Sequence, residues 1–321
     1  MSPSGRVKAE VKQRQYRGVI ENDDSEPDLF LARDPPPRAL TRLTPLVRRL
    51  VAPNASPFTF NGTCAYIVGE GAVAIVDPGP DDDAHLKAIL AAVERERVET
   101  ILVTHTHRDH SPGAKRLAAA TGARVVGAAP FAPAGDGTAG PDSAHDRDYS
   151  PDAVLADGER LQGQGFSIET VATPGHCSNH LCFALLEENA LFSGDHVMAW
   201  STSVVAPPDG SMRAYMASLE KLRGRAEAVY WPGHGGPVVE PQRYLRALIH
   251  HRRQREASIL AALKHGPQTI PALVAKVYVG LNPDLTRAAG LSTLAHLEDL
   301  GERGLVVAEA EDGGEARYSL D

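Results

Sequence analysis

His105-Thr106-His107-Arg108-Asp109-His110 places four metal-ligand side chains within six residues. The run before it, Glu99-Thr100-Ile101-Leu102-Val103-Thr104, is apolar and β-branched, the pattern of a buried strand. Ser111-Pro112-Gly113-Ala114 then opens a helix expected over 112–121, with Gly122 as its C-cap. Imidazoles and a carboxylate at the C-terminal end of a strand are well placed to hold a divalent metal. Their nitrogen and oxygen donors suit zinc, with iron or manganese as alternatives. Six residues cannot fill a coordination shell, so further ligands must come from elsewhere in the chain.

The frame around this loop is that of an ordinary soluble globular protein. The chain has 321 residues, 42% hydrophobic and 23% charged, enough for one large domain or two. A net charge of −8 argues against a wholly electrostatic nucleic-acid binder. Three cysteines, Cys64, Cys177 and Cys182, form no disulfide framework and suit a reducing, cytoplasmic location. No run of about 18 apolar residues predicts a membrane span. Residues 1–39 read as an N-terminal extension and linker, partly flexible, basic at first, then acidic, and ending in Pro35-Pro36-Pro37.

Strands are expected at 43–51, 57–60, 64–68 and 72–76, and a helix at 82–96 with Leu86, Ile89, Leu90 and Val93 on one face. A strand at 124–127 follows the helix after the His loop. Residues 129–152 show no period and read as a surface insertion, with His145 a solvent-facing loop residue. Strands at 153–156, 159–162, 165–172, 180–187 and 190–193 come next, then a helix at 212–223 and a strand at 228–231. Met212 and Met216 read as core filler. This order predicts an α+β fold of two sheets back to back with helices outside, a four-layer αβ/βα sandwich over residues 40–240.

Three more strand ends repeat the grammar of the first: Thr173-Pro174-Gly175-His176, Ser193-Gly194-Asp195 and Pro232-Gly233-His234-Gly235. In each, a glycine turns the backbone sharply and a ligand-type side chain follows. His-x-His-x-Asp-His with these three pieces, in this order, resembles the metallo-β-lactamase superfamily over about residues 43–240. The resemblance implies that His105, His107 and His176 hold one metal and Asp109, His110 and His234 a second. Asp195 bridges the two, and Asp109 and Asp195 also serve catalysis. Two Zn2+ ions per chain at about 3.5–4 Å would lower the pKa of a bridging water toward neutrality, giving a hydroxide nucleophile. β-Lactam-hydrolysing zinc enzymes commonly lack the bridging Asp, so genuine β-lactamase activity is not expected.

Ser56-Pro57-Phe58-Thr59-Phe60-Asn61-Gly62-Thr63 and Ala65-Tyr66-Ile67-Val68-Gly69 closely resemble the β-lactamase-like protein 2 family, which often carries Asn where Cys64 stands. The glyoxalase II (hydroxyacylglutathione hydrolase) branch shares the ligand set. The family implies two substrate classes, single-stranded RNA or a small-molecule thioester or ester. His180 is read as support behind the ligands and His196 as a candidate proton donor to the leaving group. Asp77 is read as holding the ligand loop. Cys177 flanks a ligand without joining the set. No flavin-binding segment accompanies the site, which argues against a redox use.

Residues 241–321 read as a C-terminal helical, winged-helix-like domain: helices at 241–264, 269–279 and 284–301, then strands at 305–308 and 316–319. Its basic cluster, His250-His251-Arg252-Arg253-Gln254-Arg255, reads as a solvated helix face, or alternatively as a phosphate-contacting one. Ten Lys/Arg balance ten Asp/Glu from 242 to 321, and the wing tip is acidic. The domain is therefore expected to pack on the catalytic domain, shape the cleft or mediate homodimerisation rather than read nucleic acid. A non-catalytic binding module is the alternative outside enzymology; the full open ligand set weighs against it.

Overall fold

The computed structural model describes residues 38–132, 144–309 and 315–321. The expectations for the N-terminal extension up to residue 37, for the middle of the 129–152 insertion and for the wing tip at 311–314 lie outside these residues.

Two sheets face each other. The first holds seven strands in chain order: β1 (Thr41–Arg42), β2 (Val47–Val51), β3 (Cys64–Glu70), β4 (Ala72–Val76), β5 (Arg97–Val103), β6 (Arg124–Gly127) and β7 (Ala153–Val154). The second holds six strands. These are β8 (Arg160–Gly163), β9 (Phe166–Ala172), β10 (Leu181–Leu185), β11 (Ala190–Gly194), β12 (Val229–Pro232) and β13 (Val238–Val239), in the order β13-β12-β11-β10-β9-β8. β3, β4, β10 and β11 are buried on both faces, which is why their sequences are near-continuous apolar runs, whereas β9 alternates. In β4, Ala74 and Val76 face the other sheet, while Val73 and Ile75 face the helices.

The inner core joins Val47, Tyr66, Val68 and Leu102 of the first sheet to Phe166, Ile168, Phe183, Phe192 and Trp231. Burying each of these aromatic or branched side chains contributes on the order of 2 kcal/mol. Outside the first sheet lie α1 (Asp83–Ala92) and α2 (Gly113–Thr121), which supply Ile89 and Leu117. Outside the second lie α3 (Met212–Arg223) and α4 (Pro241–Leu263), which supply Tyr215, Leu219, Leu222, Leu245 and Leu248. The result is the expected four-layer αβ/βα sandwich.

Several boundaries differ from expectation for local reasons. Residues 57–60 are a turn, not a strand: the Ser56 hydroxyl accepts the Phe58 and Thr59 N–H groups, and Phe60 has φ 56°. Residues 43–46 likewise turn before β2. The 180–187 strand stops at Leu185, where a short 3-10 turn over Leu186–Glu188 takes over.

α4 belongs to two cores. Tyr244, Leu245, Leu248 and Ile249 pack on the sandwich. Ile259, Ala262 and Leu263 pack instead with α5 (Ile270–Val277), α6 (Thr286–Glu302) and a small sheet. That sheet has the order β14 (Gln268–Thr269), β16 (Arg317–Leu320), β15 (Val306–Glu309). The helix presents the expected solvated basic face only in part: His250, Arg253 and Gln254 are exposed, while other members of the cluster turn to partners within the protein. Arg252 is buried, Arg255 bonds the Val277 carbonyl and lies over the Tyr278 ring, and Arg253 pairs with Glu220.

His296 on α6 is buried, and both its ring nitrogens lack a hydrogen-bond partner among the described residues. Burial first, then the charges of Arg252, His251, Arg303 and Arg255, push its pKa down from 6.5 to about 3. The unfolded chain therefore takes up a proton that the folded chain refuses. The stability from burying neutral His296 is complete above the unfolded pKa and is lost as pH falls through the window between about 6.5 and 3. The rate of loss is at most about 1.4 kcal/mol per pH unit. Urea unfolding of chelator-treated protein between about pH 6 and pH 4 is expected to show a slope shallower by that amount in His296→Leu; equal slopes would contradict it.

Candidate metal centre

β4, β5, β9, β11 and β12 all end at the same edge of the sandwich, and their C-terminal turns carry the polar side chains. β4 runs parallel to β5, and β11 to β12; β9 and β11 are both antiparallel to β10 and so point the same way. The turn glycines are dictated by contact. A Cβ on Gly233 would stand 2.5 Å from Asp195 Oδ1 and 2.6 Å from His110 Cε1. Gly175, at φ 142°, would drive a Cβ to 2.3 Å from the Tyr215 Cα.

At this edge the seven candidate ligands come together in two groups that share one residue. His105, His107, His176 and Asp195 form the first; Asp109, His110, Asp195 and His234 form the second. Within each group the ligand atoms lie within 4.8 Å of one another, and both groups could hold a metal ion. His107 Nδ1 lies 3.0 Å from His105 Nε2 and 3.0 Å from His176 Nε2. Asp195 Oδ2 faces His176 Nε2 at 3.7 Å and His105 Nε2 at 4.0 Å. Its other oxygen, Oδ1, faces His234 Nε2 at 3.3 Å and His110 Nε2 at 3.4 Å. Asp109 Oδ2 closes the second group, 3.1 Å from His234 and 3.3 Å from His110.

The far side of each ring explains why these nitrogens converge. His105 Nδ1 lies 2.9 Å from the Thr104 hydroxyl, which itself donates to Asp77. His110 Nδ1 bonds Asp77 Oδ2 at 2.9 Å, His176 Nδ1 the Val204 carbonyl at 2.6 Å, and His234 Nδ1 the Gly62 carbonyl at 3.3 Å. A neutral imidazole that donates from Nδ1 presents a lone pair at Nε2, so these anchors aim four ring Nε2 atoms at the place a metal would occupy.

Electrostatics fit a cation as well. Burial, then neighbouring imidazoles, keep His105 well below its ordinary pKa; burial and His176 hold His107 down to about 3. Both rings are therefore neutral donors. In the second group burial again opposes charge, but Asp195 and Asp109 outweigh it. They raise His234 to about 10 and hold His110 well above the usual range. This pocket asks for positive charge, which a divalent ion supplies. His110 Nε2 and Asp195 Oδ1 are buried and make no hydrogen bond among the described residues. A metal between them would use both.

The two remaining candidates stand behind the groups, not in them. His180 Nε2 accepts the Asp195 backbone N–H at 3.2 Å, and its Nδ1 bonds the Thr173 hydroxyl, so it holds the Asp195 turn. His196 is fully buried against Tyr215, with ring centroids 4.6 Å apart. Burial, then His176 and Arg252, hold its pKa at about 3. A ring enclosed in this way is not placed to protonate a leaving group, which corrects the expectation. Cys177 is buried and faces Asn179, outside both groups.

His145 is the residue that sequence reasoning misjudged. It is 4% exposed and bridges backbone-to-backbone with His107, its ring 4.7 Å from the His107 ring. Its Nδ1 bonds the Thr106 hydroxyl, Asp209 lies 3.4 Å from its Nε2, and Phe131 stacks on its face at 3.8 Å. The flanking residues sew the insertion to the ligand loop: Arg108 N–H donates to the Ala144 carbonyl and Asp146 N–H to the Thr106 carbonyl. Those are main-chain bonds, and they leave no side-chain pattern to read.

Comparison with known proteins agrees with this geometry. The metallo-beta-lactamase superfamily profile matches residues 58–234, and the profile of the beta-lactamase associated winged helix domain matches 269–315. The chain is 33% identical to the Beta-lactamase-like protein 2 homolog of Drosophila melanogaster, over 85% of this chain and 94% of that protein. It is 31% identical to the Atrochrysone carboxyl ACP thioesterase of Aspergillus fumigatus, over 70% of this chain and 66% of that protein. A metallo-beta-lactamase family protein of Thermus thermophilus, of known crystal structure, superimposes with a TM-score of 0.71 at 25% identity. That match covers 87% of this chain and all of the other. No helix among the described residues is long and apolar enough to cross a membrane. The chain belongs to the metallo-beta-lactamase superfamily and is a hydrolase-type enzyme with a beta-lactamase-associated winged helix domain at its C-terminus.

Proposed function

We propose that residues 40–240 form a two-zinc hydrolase of thioesters or esters, supported by the winged helix domain of residues 241–321. The observation that carries the two-metal reading is Asp195, with one carboxylate oxygen turned to each ligand group. On this reading His105, His107 and His176 hold one ion, Asp109, His110 and His234 the other, and Asp195 both. The ions supply a water-derived nucleophile at neutral pH and positive charge for the developing oxyanion. The chain's own residues do the rest. Asp77, Thr104, Val204 and Gly62 keep the imidazole lone pairs aimed inward. His180 fixes the turn that presents Asp195.

Two aromatic stacks flank the centre and favour an acyl substrate with an apolar or planar body. Phe60 and Trp200 stack at 5.0 Å beside the His234 turn, where Trp200 packs on Gly235. Phe131 and His145 stack beside His107. The similarity to a fungal acyl-carrier-protein thioesterase supports the same class. The RNA reading loses part of one support, since Arg252 and Arg255 are engaged within the protein, although Arg253 stays exposed. Hydrolysis breaks the acyl C–S bond and forms C–O from water, and the thiol leaves carrying a proton. A panel of aryl and alkyl acyl thioesters, run beside labelled single-stranded RNA, tests the proposal. Thioester turnover is expected, lost in Asp109→Ala. RNA cleavage without thioester turnover would replace this substrate class with a phosphodiester.

A further inference from the structure

Three consecutive residues, Ser203, Val204 and Val205, form a strap between the metal centre and the winged helix domain. On one side the strap holds two of the candidate ligands. The Ser203 hydroxyl lies 2.5 Å from the Asp195 carbonyl oxygen and 2.8 Å from that of His196, sharing its proton between them. The Val204 carbonyl accepts His176 Nδ1–H. On the other side the strap is held by the C-terminal helices. Arg252 Nη2 of α4 donates to the Ser203 carbonyl at 2.5 Å, and the Val205 N–H donates to Ser292 Oγ of α6.

Arg252 is only 3% exposed. Its guanidinium lies 5.0 Å from the Tyr215 ring centroid, and the Tyr215 hydroxyl donates to the same His196 carbonyl that Ser203 holds. Burying a guanidinium against a carbonyl and a ring face is expensive, and the cost is offset only where the geometry it secures matters. What it secures here is the backbone of the strap. Groups that orient metal ligands in this indirect way are worth about 10–100-fold in metal affinity or activity.

We infer that Arg252, aided by Ser292, is a positioning residue through which the winged helix domain sets the placement of His176 and Asp195, and so the affinity and ligand field of the metal centre. The inference rests on the two-metal reading above. It assigns the C-terminal domain a task at the active centre that needs no nucleic acid.

The test uses the full-length chain and three substitutions. Arg252→Met keeps the bulk and removes the donor, and Arg252→Lys restores a cation with one donor. Arg213→Ala cuts a different contact between α3 and α6, the pairs with Asp299 and Glu302, which does not touch the strap. The readouts are zinc affinity by chelator competition, the visible absorption of the cobalt-substituted protein, and the melting temperature of the metal-free form. Arg252→Met is expected to weaken metal binding by about 10–100-fold and to shift the cobalt band. Arg252→Lys should recover part of both, and Arg213→Ala should match wild type. Wild-type affinity and an unshifted band in Arg252→Met would overturn the inference, as would an equal loss in Arg213→Ala. If Arg252→Met does not fold, Ser292→Ala takes its place, since it cuts the other link from the C-terminal helices to the strap, with a loss in the same direction expected and the same overturning result. Wild-type protein that binds no metal overturns both readings, whereas two ions bound equally well by wild type and Arg252→Met overturn this one alone.

Discussion

Asp195→Ala is expected to leave no more than one tightly held ion per chain and to lower kcat/KM about a thousandfold or more, taking several kcal/mol of transition-state stabilisation from a bridged pair. The reason is geometric. Each group of four ligand residues in this protein contains Asp195, so its removal takes a donor from both at once. It also removes the negative charge that sits between the groups, the one that raises the pKa of His234 most strongly against burial. Two cations would then face each other with less to offset their repulsion. The fold should survive, because the Asp195 backbone keeps its bonds to His180 and Ser203. Metal analysis beside turnover measures both effects. Two ions retained in Asp195→Ala would refute the bridging role.

Asp77→Asn is the second large effect, and it separates charge and tautomer from shape. Asp77 accepts from the Thr104 N–H at 2.8 Å, the Thr104 hydroxyl at 2.7 Å and His110 Nδ1 at 2.9 Å. Asparagine fits the same space but must place an NH2 group where one of the two acceptors stood. If the amide oxygen stays on the Thr104 N–H, the NH2 group meets His110 Nδ1. The ring must then accept there and carry its proton on Nε2, pointed at Asp109 and Asp195. His110 would cease to be a ligand. The second ion is expected to bind about 10–100-fold more weakly, and the first to weaken less, through the Thr104 hydroxyl that links Asp77 to His105. A two-step metal titration distinguishes the two sites. Asp77→Asn that binds both ions with wild-type affinity would contradict the anchoring role.

The fold was readable because its signals are local. An apolar run, a glycine turn and a ligand-type side chain recur at the ends of β5, β9, β11 and β12. Burial on both faces makes β11, β12 and the C-terminal half of β5 conspicuous in the sequence, and alternation does the same for β9. The candidate ligands could be named for the same reason: each sits immediately after a strand. What escaped were features set by tertiary contact. His145 lies in a stretch without period, and main-chain bonds draw it to His107. Arg252 sits in a charge run that looks solvated, yet α4 turns it inward onto Ser203. Phe58-Thr59-Phe60 has strand composition, but the Ser56 hydroxyl and the backbone at Phe60 fold it into a turn. The two-residue strands β13 and β14 are too short to leave a pattern of their own.

The division of ligand residues between the sheets has a consequence for how the protein matures. His105, His107, Asp109 and His110 follow β5 of the first sheet. His176, Asp195 and His234 follow β9, β11 and β12 of the second. Neither group of four can close within one half of the chain, so on the two-metal reading neither ion has its full shell until the sheets have docked. During synthesis the first four side chains leave the ribosome long before His234 exists. On that reading the first shell must wait for β11 and the second for β12, and chains cut short of these strands should hold metal only loosely. The centre then acts as a late seal across the seam between the two sheets, joining residues far apart in sequence. Chelation should loosen that seam before it disturbs either sheet.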